Sequence, residues 1–365
     1  MSEHAKKTVL EYIWIGGNNE LRSKTKVHEF KYFTLKSVKD VPQWNYDGSS
    51  TDQAESHSNT EVVLVPRALF ANPLEPGIYR HHLVLCDTYD IDGRPLNTNH
   101  RHAAAEIFQQ RPELQPWFGL EQEYFMIHAD AADDAAATAA SAAVDVCKQT
   151  GRYYCGTQIC NIERRIAREH LAACLDAKLI IAGVNAEVSK NQWEFQVGPC
   201  LGIESGDHLW VARFLLERIA EIYNVQISYT PKLRKGVNGS GCHANFSTLP
   251  MRENISAIYE CLPKLEAAHS KHIAVYGKNN MLRLTGHHET SDIHTFSFGL
   301  GTRNTSVRIP NQVVKDGCGY FEDRRPAANI DPYQVTSILY ETCCLGSSVV
   351  VEPLQEPLQE PLEQV

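Results

Sequence analysis

Residues 117–127 read WFGLEQEYFMI, a run of aromatic and aliphatic side chains interrupted by two glutamates. Aromatic residues suit a pleated, half-buried strand, and side chains on a strand alternate between its two faces. Glu121 and Glu123 therefore share one face, and Leu120, Gln122 and Tyr124 share the other. Such a strand needs an apolar layer behind it and presents two carboxylates in front. Taken alone, the pair reads as an exposed acidic face, since charged side chains are mostly exposed. Beside other acids it becomes a place for a cation or for proton transfer.

Outward from this strand the chain mixes strands and helices. Further strands are expected at NQWEFQVG (191–198), VQISYTP (225–231), GCHANFST (241–248), TSVRIP (305–310) and GYFEDRRP (319–326). Helices are expected at HRHAAAEIFQQ (100–110, capped by Thr98 or Asn99), 161–179, 206–224, 257–276 and 331–344, each with apolar residues three and four apart. The first third is β-rich. TVLEYIWI (8–15), the turn Gly16-Gly17-Asn18-Asn19 and LRSKTKVHEF (21–30) read as a hairpin, and EVVLVP (61–66) and HHLVLCDTY (81–89) as two more strands. Gly93-Arg94-Pro95 suits a domain boundary. The class is α+β, with domains at 1–95 and 96–350. The alanine-rich stretch 128–149 reads equally as a helix or a mobile excursion. A disordered tail is expected at 351–365, where Glu-Pro-Leu repeats three times and prolines prevent a helix.

A net charge of −9 argues against nucleic acid as the main ligand, and 43% hydrophobic against 22% charged residues is a globular composition. No signal-peptide pattern opens the chain, and no stretch of about 18 apolar residues follows. A cytoplasmic protein without a membrane span is expected. Eleven scattered cysteines without a CxxC pair fit reduced thiols better than zinc or disulfide frameworks.

Three further segments carry candidate chemistry. Glu187 and Glu194 lie in NAEVSKNQWEF (185–195), and Glu194 sits between Trp193 and Phe195. A carboxylate in those surroundings is paired, protonated or bound to a cation. In GCHANFS (241–247) the strand period puts His243, Asn245 and Ser247 on one face, after the flexible Asn238-Gly239-Ser240-Gly241 where backbone can approach a ligand. Glu322 and Arg324 share a face in YFEDRRP (320–326), and Arg283, Arg303 and Arg308 precede them. Guanidinium groups bind carboxylates and phosphates bidentately. The chain has no GxxxxGK[ST] loop, HExxH or GxSxG elbow. Five carboxylates and one imidazole favour hard divalent ions, Mg²⁺ or Mn²⁺, over zinc.

In order along the chain, WNYDGSST (44–51), PWFGLEQEY (116–124), RYYCG (152–156), NAEVSKNQWEFQVGP (185–199), GDHLW (206–210), NGSGCHANFST (238–248), RLTGHHET (283–290), RNTSVRIP (303–310) and GYFEDRRPAAN (319–329) resemble glutamine synthetases of the eukaryotic type. The resemblance spans roughly residues 10–345. It implies an N-terminal β-grasp domain followed by a larger catalytic domain on a mostly antiparallel sheet. It also implies a homo-oligomeric double ring, decameric in this type, with active sites between subunits.

The implied activity is ATP-dependent ligation of ammonia to the γ-carboxylate of L-glutamate, giving glutamine, ADP and phosphate through γ-glutamyl phosphate. By resemblance, Glu121, His243 and Glu322 hold one Mg²⁺ or Mn²⁺ ion, and Glu123, Glu187 and Glu194 another. Trp117, Pro199, Asn245, Ser247, Arg252 and Tyr320 match nucleotide-site positions, and Arg303 and Arg308 serve the transferred phosphoryl group. Asn238, Gly239, Arg283 and Arg324 match the glutamate site. Asp47 is implied as proton acceptor from ammonium, with Ser50, Tyr154 and Glu289 completing the cation pocket and Glu289 on a flap. Without the resemblance Asp47 reads as a turn residue before Gly48. The chain departs from the family pattern at 128–149, at NIERRIAREH (161–170) and at Val237, where a tryptophan is common. A ring protein without chemistry, or a ligase for another amine, are the competing expectations.

Overall fold

The computed structural model describes residues 7–29, 35, 37–55, 57, 59–75, 77, 80–128, 152–157 and 162–346. The expectations for 129–149 and for the repeat tail lie outside these residues.

Five strands form the first sheet: β1 (Lys7–Ile15), β2 (Leu21–Glu29), β3 (Trp44–Asp47), β4 (Glu61–Ala71) and β5 (Arg80–Tyr89), in the order β2-β1-β5-β4-β3. The expected hairpin is β1–β2, closed by Gly16 N–H donating to the Glu20 carbonyl at 2.8 Å. β1 and β5 run parallel in the middle, and the other pairs are antiparallel. Alternation along β1 divides its side chains between two cores. Leu10, Tyr12 and Trp14 pack with Leu64, Val84 and Cys86, whereas Ile13 joins Leu83 and Leu85 in the main core of the molecule.

The second sheet contains β6 (Trp117–His128), β7 (Ile181–Ala186), β8 (Gln192–Leu201), β9 (Val225–Ser228), β10 (Cys242–Ser247), β11 (Phe298–Leu300), β12 (Val307–Ile309) and β13 (Phe321–Asp323). Its order is β11-β12-β13-β10-β6-β8-β7, with β9 added beside the end of β6. Only β11–β12 is parallel among these pairings. The four longest helices among the described residues are α1 (His100–Phe108), α2 (Ile162–Asp176), α3 (Glu204–Ile222) and α4 (Pro332–Tyr340). Asn99 caps α1 by accepting from the His102 N–H at 3.2 Å. α3 is buried along most of its length and packs against α2, α4, β8 and β9. The sheet is thus apolar behind and open in front.

One expected helix is not continuous. Residues 257–276 fall into short helices Ser256–Tyr259, Leu262–Ala267 and His269–Val275. Pro263 has no N–H for the preceding turn and tolerates only the first turn of a new helix, so the chain restarts there. No helix among the described residues is long and apolar enough to cross a membrane.

Candidate active site

Burial along β6 alternates as expected: Phe118, Leu120, Gln122 and Tyr124 are buried, while Glu121 and Glu123 face a cleft. Register with the neighbouring strands then assembles the site. Glu121 stands opposite His243 on β10, and Glu123 opposite Glu194 on β8. Glu322 on β13 stands opposite Asn245 on β10 and Arg308 on β12. Residues 201 positions apart in sequence thereby become neighbours.

Two clusters of potential ligands result, Glu121–His243–Glu322 and Glu123–Glu187–Glu194, with ligand atoms within 4.8 Å of one another in each. Several side chains aim the carboxylates. Asn245 Nδ2 donates to Glu121 at 2.8 Å, Gln196 Nε2 to Glu194 at 2.7 Å and Asn185 Nδ2 to Glu187 at 2.9 Å. The Gly241 N–H donates to Glu123 at 2.6 Å, and Glu322 takes Arg324 at 2.6 Å and Arg308 at 2.9 Å. Burial, and then the charge of Glu187, pushes the Glu123 carboxyl up to about 8. Burial, followed by repulsion from Glu121 and Glu123, pushes Glu194 up to about 9, and burial likewise raises Glu187. Burial, and then the Arg324 charge, holds His243 well below the usual histidine range. Converging carboxylates and a neutral imidazole are the donor set of hard divalent cations, so the residues fit Mg²⁺ or Mn²⁺.

The clusters open into a polar cleft of about 200 Å³, which also receives Tyr154, Asn238, Gly239, Glu289, Arg303, Arg308 and Arg324. A second cavity of about 430 Å³ adjoins it, with Trp117, Pro199, Asn245, Ser247, Arg252 and Tyr320 among its lining. Glu121 and Gln196 line both. Arg252 lies 4.1 Å over the Trp117 ring and donates to Ser247 at 3.0 Å, which braces the apolar wall. Arg283 lies behind the cleft, 3% exposed, donating to His243 Nε2 at 2.9 Å. Gly241 permits that contact, since a Cβ there would lie 2.5 Å from the Arg283 Nη2 and 2.6 Å from His243 Nε2.

Asp47 and Ser50 line neither cavity. Both are exposed, and Asp47 caps a turn by accepting from Ser49 N–H at 3.1 Å and Ser49 Oγ at 2.8 Å, which keeps its carboxyl below the usual range. Asn185, Gln192 and Gln196 line the cleft but were not singled out from the sequence. Alternation along β8, which puts Gln192, Glu194 and Gln196 on one face, was the signal available for two of them. His288 and Glu289 have φ of 54° and 62°, consecutive left-handed residues held by the Arg324 guanidinium donating to the Glu289 carbonyl at 3.3 Å.

An apolar pocket opening onto carboxylate clusters and arginines defines a site for metal-assisted chemistry on a polyanion. Residues 99–359 match the family described as glutamine synthetase, catalytic domain. A protein of Acanthamoeba polyphaga mimivirus is 50% identical, covering 94% of this chain and 96% of its own length. Glutamine synthetases of Agaricus bisporus and Saccharomyces cerevisiae are 48% and 44% identical, covering 93% of this chain and 94% and 90% of their own. The solved structure of ligand-free GmaS superposes with a TM-score of 0.70 at 18% identity, covering 96% of this chain and 80% of that one, a likeness of fold. The chain belongs to the glutamine synthetase family of carbon–nitrogen ligases.

Proposed function

We propose that the protein ligates ammonia to the γ-carboxylate of L-glutamate at the expense of ATP, giving ADP and phosphate and assimilating ammonium as glutamine. The supporting observation is the junction at Glu121 and Gln196, where the apolar cavity meets both ligand clusters and the cleft arginines. A nucleotide with its base between Trp117, Pro199 and Tyr320 would lead its phosphates into that junction.

Ions held by Glu121, His243 and Glu322 and by Glu123, Glu187 and Glu194 would screen the phosphates and polarise the transferred group. Arg324 binds a glutamate carboxylate, with Asn238 and Gly239 beside it, and Arg283, buried behind the cleft on His243 and the Arg324 carbonyl, would reach the substrate only by leaving those partners. A γ-carboxylate oxygen attacks the γ-phosphorus, and the bond to the ADP oxygen breaks. Arg303 and Arg308 stabilise the charge on the moving group. Ammonia then attacks the acyl carbon of γ-glutamyl phosphate and phosphate leaves. Ammonium has no lone pair, so Asp47 takes its proton while Ser50, Tyr154 and Glu289 hold the cation. The left-handed pair His288–Glu289 forms the edge of a flap that keeps water from the acyl phosphate.

Because Asp47 and Ser50 lie outside their own chain's cleft, we assign them to the cleft of a neighbouring subunit in a double ring, a decamer. Phosphate release by the purified protein with Mg²⁺ and ATP, with glutamate and ammonium each omitted in turn, tests the activity. Release that needs both and equals the glutamine formed is expected. Glutamate-dependent release without glutamine would transfer the acyl group to another amine or to water, and no release from an intact ring would overturn the ligase reading.

A further inference from the structure

Gln122 lies between the cleft-facing Glu121 and Glu123 but points the other way and is 0% exposed. Its Oε1 accepts from two nitrogens of one guanidinium, Arg213 Nε at 2.9 Å and Nη2 at 2.6 Å. Its Nε2 donates to the Glu123 carbonyl at 2.8 Å and to the Ala328 carbonyl at 3.0 Å. Arg213, on α3, is 2% exposed, and its other donors reach the carbonyls of Ile330 at 2.9 Å and Ala328 at 3.0 Å. The rings of Trp210 and Tyr229 flank it at 4.7 and 5.0 Å.

Every hydrogen bond of this buried cation goes to a neutral oxygen, and the carboxylate whose charge it feels, Glu217, lies one turn along α3. Such an arrangement is a poor way to gain stability, because apolar side chains of similar volume fill a site at less desolvation cost. Arg213 joins three pieces of chain: α3, β6 through Gln122, and the 328–330 segment that follows β13. β6 carries Glu121 and β13 carries Glu322, two members of one ligand cluster. The other cluster draws on β6, β8 and Glu187 and does not cross to β13.

We propose that Arg213, acting through Gln122, is a positioning residue that sets the separation between Glu121 and Glu322 and thereby the affinity of the cluster those residues form with His243. It rests on the reading of the two clusters as ion sites. A lysine keeps the charge but cannot reach Gln122, Ala328 and Ile330 together, so charge and geometry can be separated.

Mn²⁺ binding to the purified protein, without nucleotide or glutamate, is measured by electron paramagnetic resonance alongside thermal unfolding, for native protein, Arg213→Lys and the paired change Arg213→Met with Gln122→Leu. The expected result is two classes of site in native protein, one of which weakens on the order of tenfold in both variants, the range found for residues that support metal ligands. The other class should hold in both variants, whatever the melting temperature, since the paired change also leaves the Ala328 and Ile330 carbonyls and Glu217 without their partner. Unchanged Mn²⁺ affinity in either folded variant overturns the proposal. Equal weakening of both classes makes Arg213 a structural residue and also overturns it. Native protein without Mn²⁺ sites would instead overturn the reading of the clusters.

Discussion

At the scale of single residues, the carboxylates that face the cleft work against the fold when no cation is present. Glu123 and Glu194 titrate above the ordinary glutamate value, at about 8 and about 9, so the native ion-free protein holds protons that the unfolded chain releases near pH 4.3. Their contribution to stability is full below that value and is lost as pH rises through about 8 to 9. Ion-free protein should therefore melt at a lower temperature at pH 9 than at pH 6, and Mn²⁺ should raise the melting temperature more at pH 9. A melting temperature in chelator that ignores pH would refute this. Glu194→Gln should stabilise the ion-free protein and lose most of the Mn²⁺-induced shift, read by the same thermal melts. Asp47→Ala should lower glutamine formation on the order of a hundredfold or more while leaving nucleotide affinity intact, and near-native turnover would remove Asp47 from proton transfer. The ion-cluster residues were legible because acids, imidazole and strand alternation coincide in short motifs. Gln196 was not, because a neutral amide is ordinary on any strand until register puts it opposite Glu121.

At the scale of elements, β6, β8, β10 and the helices α1 and α3 follow from periodicity, since each carries enough residues for its period to show. β12 and β13 have three residues each, too few for a period, and their motifs identified them instead. The helix expected at 257–276 has the right apolar spacing, yet Pro263 outweighs spacing by removing one donor. α3 and α4 meet where Gly206 faces Tyr333, whose hydroxyl donates to Asp207 at 2.7 Å. A Cβ at Gly206 would lie 2.4 Å from the Tyr333 ring, so Gly206→Ala should cost about 1–3 kcal/mol or more through overpacking. Denaturant unfolding measures it, and an unchanged midpoint would show that the helices separate freely.

At the scale of the whole molecule, the position of Asp47 makes assembly testable through chemistry. If Asp47 serves a neighbour's cleft, chains carrying Asp47→Ala and chains carrying Glu322→Gln, each inactive alone, should regain activity when dissociated and reassembled together. Random mixing in a symmetric ring restores about a quarter of the sites, and activity that stays at zero in mixed rings would return Asp47 to its own subunit. The double use of β6 has a different kind of consequence. Its even-numbered side chains between 118 and 124 build the core, and Glu121 and Glu123 build the site. Losing or gaining a single residue within it would exchange the two sets at a stroke, sending carboxylates into the interior and aromatics into the cleft. Over evolutionary time this strand can accept substitutions on either face, but a change of length within it removes fold and catalysis together, so descendants of this chain should vary in composition there and never in spacing.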